Sequence, residues 1–373
     1  MWSPQHYIEQ GRALGRKPEV LENAVEQIER VIYQSPELPS LLTLNHLATR
    51  SQVPYSNLRH YVARDVAAYK HFRIRKRSGG RRLISTPQPD LMKVQRWIAT
   101  HILRYVRPHP SSYAFAPNSS IVDCAARHCG AKWLVKADIT NFFPSISEIQ
   151  AYRVFRSLGY QKLISFELAR LTTFAPESSE RYQLRNWQNW MTEGIAIYRN
   201  RGQGFLPQGA PTSPMLSNLV MRDLDEKIAH LSHDFGLTYT RYSDDLTFST
   251  RTEQFNRLSA SRFIWKLKRM LMSSGFHPNA EKTIIVPPGG RKVVLGLVVD
   301  GAKPRLSHQF RSILRQHMYY LESRGPIEHA KARDFETVGG MRRHIRGLID
   351  YSRMVDPAYA DPILVRFENI QWP

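Results

Sequence analysis

Three aspartates stand out as groups that could do chemistry together. Asp244 and Asp245 are adjacent in Tyr242-Ser243-Asp244-Asp245, between Leu237-Thr238-Tyr239-Thr240-Arg241 and Leu246-Thr247-Phe248-Ser249. Both flanks are rich in β-branched and aromatic residues, so the spacing predicts a β-hairpin with the acidic pair at its tip. Neighbouring carboxylates repel each other unless a cation sits beside them, and hard oxygen ligands suit Mg²⁺. A solvated Asp-Asp turn fits the same tetrapeptide, because Asp favours turns. Asp138 closes the predicted strand Trp133-Leu134-Val135-Lys136-Ala137. If those strands pair, three carboxylates converge, and carboxylates around two divalent ions ~3.5–4 Å apart are an arrangement for in-line phosphoryl transfer.

The surrounding elements alternate between helical and strand patterns. Residues 1–65 look helical: Leu44, Leu47, Val53, Leu58 and Tyr61 follow helical spacing, with a break near Pro54. Residues 43–59 have a helix-turn-helix pattern, and a plain helical pair docked on a larger core fits them too. Phe72-Arg73-Ile74-Arg75-Lys76-Arg77 and Arg81-Arg82-Leu83-Ile84-Ser85 flank Ser78-Gly79-Gly80, which predicts a hairpin studded with cations. Helices are expected over 91–106, 214–231 and 255–273, and a strand or hairpin over 292–299. The segment 176–205 is polar, Arg-rich and Trp-bearing, and reads as an irregular insertion or exposed helix. From Ser307 onward the chain looks helical and basic, with breaks at Gly325-Pro326 and Gly339-Gly340. There is no internal repeat.

Composition narrows the partner. The 373 residues include 53 Lys+Arg against 32 Asp+Glu, for a formal net charge of +21. Such an excess favours a polyanion, with nucleic acid first. The cations are scattered rather than gathered on one amphipathic helix, no apolar run reaches the length of a membrane span, and the start lacks a signal-peptide core, so no membrane partner is expected. Cys124 and Cys129 are the only cysteines. They read as reduced and structural, in a cytoplasmic protein.

Over about residues 70–300 the chain resembles reverse transcriptases, with the blocks in order. Val135-Lys136-Ala137-Asp138-Ile139-Thr140-Asn141-Phe142-Phe143-Pro144-Ser145-Ile146 looks like their first catalytic block, and residues 206–219, containing Leu206-Pro207-Gln208-Gly209-Ala210-Pro211, look like the block that positions template and nucleotide. Tyr242-Ser243-Asp244-Asp245 matches the catalytic box, Asn279-Ala280-Glu281-Lys282-Thr283 the next block, and Val294-Leu295-Gly296-Leu297-Val298 the strand near the primer terminus. The resemblance implies catalysis by Asp138, Asp244 and Asp245, with Asp138, Ile139, Asp244 and Asp245 around two Mg²⁺ ions for which Mn²⁺ can substitute. It implies nucleotide contacts at Lys76, Arg82, Phe143, Gln208, Gly209 and Lys282, with Phe143 excluding a ribose 2′-hydroxyl. Phe142 beside it reads as the core ring. The basic C-terminal residues Arg311, Arg315, Arg342, Arg343, Arg346 and Arg353 would grip the duplex backbone.

The implied fold is an α+β right-hand polymerase. It comprises an N-terminal helical extension (1–65), fingers (66–132, with 145–205 partly fingers or insertion), a palm on an antiparallel, ferredoxin-like sheet (133–300) and a basic helical thumb (301–373). Ser112-Tyr113-Ala114-Phe115 and the Gln208 block look most like bacterial retron reverse transcriptases. Those enzymes copy a structured noncoding RNA into single-stranded DNA (msDNA), primed from a guanosine 2′-hydroxyl and left attached to the RNA. Their substrates are dNTPs, and many act in antiphage defence with an effector or toxin protein. Two elements depart from that family: Cys124-Ala125-Ala126-Arg127-His128 replaces Asn-Ala-x-x-His, and Val294-Leu295-Gly296 replaces Val-Thr-Gly. These departures bear on RNA recognition, for which His128 is a candidate contact, and a packed histidine fits the same position equally well. Alternatives are a non-retron defence or group II intron-like reverse transcriptase, or a scaffold of RNA and DNA restraining an effector. Phe143 argues against an RNA-dependent RNA polymerase.

Overall fold

The β-prone runs pair into three sheets of two, four and three strands among the described residues. The protein is described from a computed structural model over residues 3–75, 79, 81–175 and 203–373. Lys76 and nearly all of 176–205 lie outside the described residues. Contacts group the chain into two units, neither a contiguous stretch: residues 1–117, 138–228 and 267–279 in the first, and 118–137, 229–266 and 280–373 in the second.

The first unit starts with α1 (Pro4–Ala13), α2 (Pro18–Gln34), α3 (Leu44–Ser51) and α4 (Tyr55–Ala63). Leu44, Leu47, Val53 and Leu58 are buried, and α4 packs on α5 (Pro89–His101) and α8 (Lys162–Thr172). The helical pair therefore docks on a larger core, as one of the two sequence readings had it. The hairpin β1 (Tyr69–Arg75) and β2 (Arg81–Pro87) pairs Tyr69 with Pro87 through to Arg75 with Arg81. Its β1 arm is buried only at Tyr69. α7 (Glu148–Ser157) starts from a capping box in which Ser147 and Gln150 satisfy each other's backbone N–H groups. Glu148 then takes ion pairs from Arg64 and from Arg170 (3.0 Å), and accepts from the Gly204 N–H at 3.1 Å. Phe174 and Phe205 exchange both backbone bonds, which fixes the chain as it enters Leu206–Gly209.

The second unit is organised by a four-stranded sheet of order β4-β5-β3-β6: β3 (Trp133–Asp138), β4 (Thr238–Tyr242), β5 (Asp245–Thr250) and β6 (Ile284–Val286). The element sequence is strand, helices, two strands, helix, strand, with the first and third strands central, as in a ferredoxin-like βαββαβ unit. α6 (Ile121–Ala126) precedes the sheet; α9 (Ser213–Asp234) and α10 (Arg257–Ser273) are the crossover helices, and the chain passes between the units within each. Phe263 of α10 meets Phe248 of β5 edge-on at 4.7 Å, and Tyr239 stacks on Phe248 at 5.0 Å. A small sheet follows, β7 (Val293–Val294), β8 (Leu297–Val298) and β9 (Arg305–Leu306).

The C-terminal helices are α11 (His308–Ala332), α12 (Val338–Val355) and α13 (Pro357–Glu368). Leu314, Met318 and Leu321 pack with Met341, Ile345, Ile349, Ile363 and Phe367. Gly325 breaks α11 at φ +78, with Pro326 next, as the sequence predicts. Gly339-Gly340 does not break the helix. Thr337 caps α12 by accepting from the Gly340 N–H, so both glycines fall in its first turn, where little of the helix depends on them.

Candidate functional site

The acidic hairpin tip is strained and braced from beneath. Tyr242 pairs with Asp245, leaving Ser243 and Asp244 as a two-residue loop. Ser243 takes φ +59, the left-handed backbone that tight hairpin turns use and that costs a non-glycine residue roughly 1–2 kcal/mol. Arg241 is fully buried, and its guanidinium donates to the Ser243 carbonyl at 3.1 Å. A cation fixed so near two carboxylates in the chain also offsets part of their repulsion.

One imidazole ties the two strands together. His128 Nδ1 lies 2.7 Å from Ser249 Oγ on β5, and Nε2 lies 2.7 Å from Thr240 Oγ1 on β4. Burial first, then the Arg127 charge, pushes His128 down to about 4. The neutral ring offers one donor and one acceptor, and a hydroxyl can complement either. Of the two readings of His128, RNA contact or packed histidine, the structure favours the packed one: the residue is 1% exposed and both ring nitrogens are engaged. Cys124 packs on the same hydroxyl, its thiol pointing at Thr240 Oγ1 at 3.4 Å. Burial, with a lesser contribution from the Asp245 charge, pushes that thiol up to about 11. Both cysteines are buried and free of disulfides.

The sheet carries the third carboxylate. β3 neighbours β5, and the Lys132 N–H just before β3 donates to the Thr250 carbonyl that ends β5, at 2.8 Å. Asp138 is the last residue of β3. Asp138 is 5% exposed, whereas Asp244 and Asp245 are partly exposed. Every donor in the set is a hard oxygen, Ile139 having only its backbone carbonyl to offer, and such a set fits a hard divalent cation. Among the described residues no three His, Cys, Asp or Glu side chains are already gathered as a cage.

The other expected contacts fall into two groups. In the first unit the Gln208 carbonyl accepts from the Ser85 N–H of β2 at 2.8 Å, and Gly209 takes φ +113. A Cβ there would stand 2.9 Å from Ile84 Cγ2, so glycine permits the close approach. Arg82 is exposed on β2, opposite Ile74. Phe142 is 3% exposed and packs on Phe276, while Phe143, 5.5 Å from Phe142, is partly exposed. The two rings thus divide between core and surface as the sequence suggests. Asp138 and Thr140 exchange backbone bonds with Asn279 and His277.

In the second unit Lys282 is exposed. The C-terminal arginines differ among themselves: Arg311 pairs with Asp356, Arg346 with Asp350 and Glu368, and Arg353 with Asp361. Arg342 lies over the Trp372 ring at 5.3 Å. Arg315 and Arg343 are exposed and form no ion pair among the described residues.

Residues 74–294 match the family described as Reverse transcriptase (RNA-dependent DNA polymerase). The Retron Mx65 reverse transcriptase of Myxococcus xanthus is 34% identical over 337 residues, covering 88% of this chain and 72% of that protein. The chain belongs to the retron reverse transcriptases. The Retron Ec86 reverse transcriptase of Escherichia coli is 29% identical over 324 residues, 86% of each chain. The Retron Mx162 reverse transcriptase of Myxococcus xanthus is also 29% identical, over 81% of this chain and 61% of its own length. As a reverse transcriptase, the chain is an RNA-directed DNA polymerase of the α+β, right-hand class, dependent on divalent metal ions. Among the described residues no helix is long and apolar enough to cross a membrane.

Arg241 was not anticipated from the sequence. Its signal is present in retrospect: an arginine midway along a short strand, with Tyr239 and Thr240 also buried, must lie inside and must bond something there.

Proposed function

We propose that this reverse transcriptase copies part of a structured noncoding RNA into single-stranded DNA that stays joined to the RNA, using Asp138, Asp244 and Asp245 as the catalytic carboxylates. The observation that carries the reading is the strained Asp244-Asp245 tip of the β4–β5 hairpin, supported by buried Arg241 and His128 in a chain whose residues 74–294 match the reverse transcriptase family. Two Mg²⁺ ions bound by these residues would supply activation of the primer hydroxyl and charge neutralisation for the leaving pyrophosphate. The carboxylates and the Ile139 carbonyl would hold them, with Mn²⁺ able to substitute.

The remaining roles follow from residue chemistry. Arg82 and Lys76 on the cationic hairpin bind the dNTP triphosphate, Arg as a fork and Lys as a point charge. Gln208 and Gly209 bring backbone close to the nascent base pair, and the Phe143 ring rejects a 2′-hydroxyl. Lys282 neutralises the departing pyrophosphate or gives it a proton. Arg315, Arg342 and Arg343, with Arg311, Arg346 and Arg353 after exchange of their acidic partners, hold the duplex phosphates. In this reading 1–65 is an extension, 66–132 fingers, 133–300 palm and 301–373 thumb. The protein works in the cytoplasm, in an antiphage system with an effector protein.

Sequencing the nucleic acid that copurifies with the protein tests the reading. A discrete RNA joined to single-stranded DNA is expected, absent from the Asp244→Asn, Asp245→Asn protein. Heterogeneous cellular RNA alone would overturn it.

A further inference from the structure

α10 carries Arg257, Arg262, Lys266, Lys268 and Arg269 and no acidic residue. Its inner seam is Ala260, Phe263, Leu267 and Leu271, all buried. The outer face presents Trp265, 58% exposed. Trp265, Arg262, Lys266, Ser259 and Ser261 line an open groove of about 540 Å³ with Phe235, and no carboxylate lines it. Lys266 Nζ lies 5.4 Å over the Phe235 ring, which leaves its charge directed along the groove's aromatic wall.

A lone exposed aromatic needs no explanation. Here it is joined to cations, hydroxyls and a second ring. Around α10 the neighbouring rings Tyr239, Phe248, Phe255 and Phe263 are buried, so Trp265 stands apart from the aromatic cluster beneath it.

We propose that this groove is a subsite for an unpaired nucleotide of RNA, formed by residues other than the polymerising set. The inference rests on the reading that the protein engages a structured RNA, and names where an unpaired part of that RNA is held. The Trp265 ring offers a stacking face, which every base can use and which is therefore tolerant of sequence. Arg262 and Lys266, one helical turn apart, meet the adjoining phosphates, and the absence of groove carboxylates leaves nothing to repel them. Ser259 and Ser261 supply hydroxyls that can bond a ribose 2′-hydroxyl. The charge is what selects RNA over a protein helix as the occupant: an apolar stripe alone would suit either, but an all-cationic rim suits a polyanion.

The probe is a short single-stranded RNA oligonucleotide carrying 4-thiouridine, irradiated with the full-length protein and mapped by mass spectrometry. A crosslink within residues 257–266 is expected. Trp265→Ala should abolish it and weaken binding of the same oligonucleotide roughly five- to hundredfold, while Trp265→Phe should retain most of the affinity. Crosslinks only elsewhere, with the Trp265→Ala affinity unchanged, would overturn the proposal. So would a Trp265→Ala protein that binds the RNA normally but changes oligomeric state, which would mark the face as a protein contact. Primer extension by the wild-type protein is read in parallel. Extension without the crosslink removes this subsite and leaves the polymerase reading standing; the crosslink without extension keeps the subsite and counts against the polymerase.

Discussion

Two hairpins in this molecule bear charge at or near their tips, and they are built in opposite ways. The acidic β4–β5 hairpin has buried strands, with a buried arginine beneath its turn and a buried histidine bonding both strands. The cationic β1–β2 hairpin is buried on its first arm only at Tyr69, and its cations Arg73, Arg75, Arg81 and Arg82 all stand in water. The difference matches what the proposed function asks of each charge. Ligands of a metal pair must be held within a fraction of an ångström, which takes rotamers locked by packing and supporting bonds. Cations that meet a flexible triphosphate act largely through charge and can afford loose support.

That contrast can be attacked at its strong side first. Asp244→Asn with Asp245→Asn should lower primer extension by at least about 10³-fold while leaving the melting temperature near that of wild type, because the change keeps shape and removes charge. Extension within tenfold of wild type would show that the braced tip is not the reactive one.

The brace itself comes next. His128→Ala removes a buried ring with two hydrogen bonds and should cost about 2–4 kcal/mol in urea denaturation. Acid should do part of the same. The unfolded chain protonates His128 near pH 6.5, whereas the folded chain resists until about 4. This contribution is therefore complete above about pH 6.5 and is lost as pH falls towards 4, by up to about 3 kcal/mol. His128→Gln, which keeps a donor and an acceptor, should lose less stability than wild type between pH 7 and 4.5. Equal losses would remove His128 from the account.

On the cationic hairpin the effects should be milder and kinetic. Arg82→Ala should raise the dNTP KM about tenfold, the worth of one charge-assisted contact, with stability unchanged because the side chain is exposed. Smallest of all, Arg315→Ala should weaken duplex binding about evenly across sequences and reduce the salt slope by about 1. A large loss of stability in either variant would mean that the exposed cations are structural after all.

The parts of this design that were legible are those with local signatures. Strand spacing around Asp138 and around Tyr242–Asp245, the kink at Gly325-Pro326 and the split between Phe142 and Phe143 all follow from neighbours in sequence. What was not legible depends on distant partners. His128 reads equally as a contact for RNA or as a packed ring until Thr240 and Ser249, more than a hundred residues away, are folded onto its two nitrogens. Arg346 could be matched to Asp350 one turn on, but nothing local pairs Arg311 with Asp356 or Arg346 with Glu368. Gly339-Gly340 looked like a helix break because glycine is costly inside a helix. The Thr337 cap instead makes it a helix start.

The central claim is that Asp138 and the Asp244-Asp245 tip share a divalent cation, and the most direct measurement uses the cation itself. With Fe²⁺ in place of Mg²⁺, ascorbate and peroxide generate hydroxyl radicals that cut the backbone beside the bound metal. The account predicts cleavage at two places distant in sequence, next to residue 138 and next to residues 244–245, both suppressed by excess Mg²⁺ and lost together in Asp138→Asn. Cleavage at only one of the two, or at neither while primer extension remains metal-dependent, would contradict it.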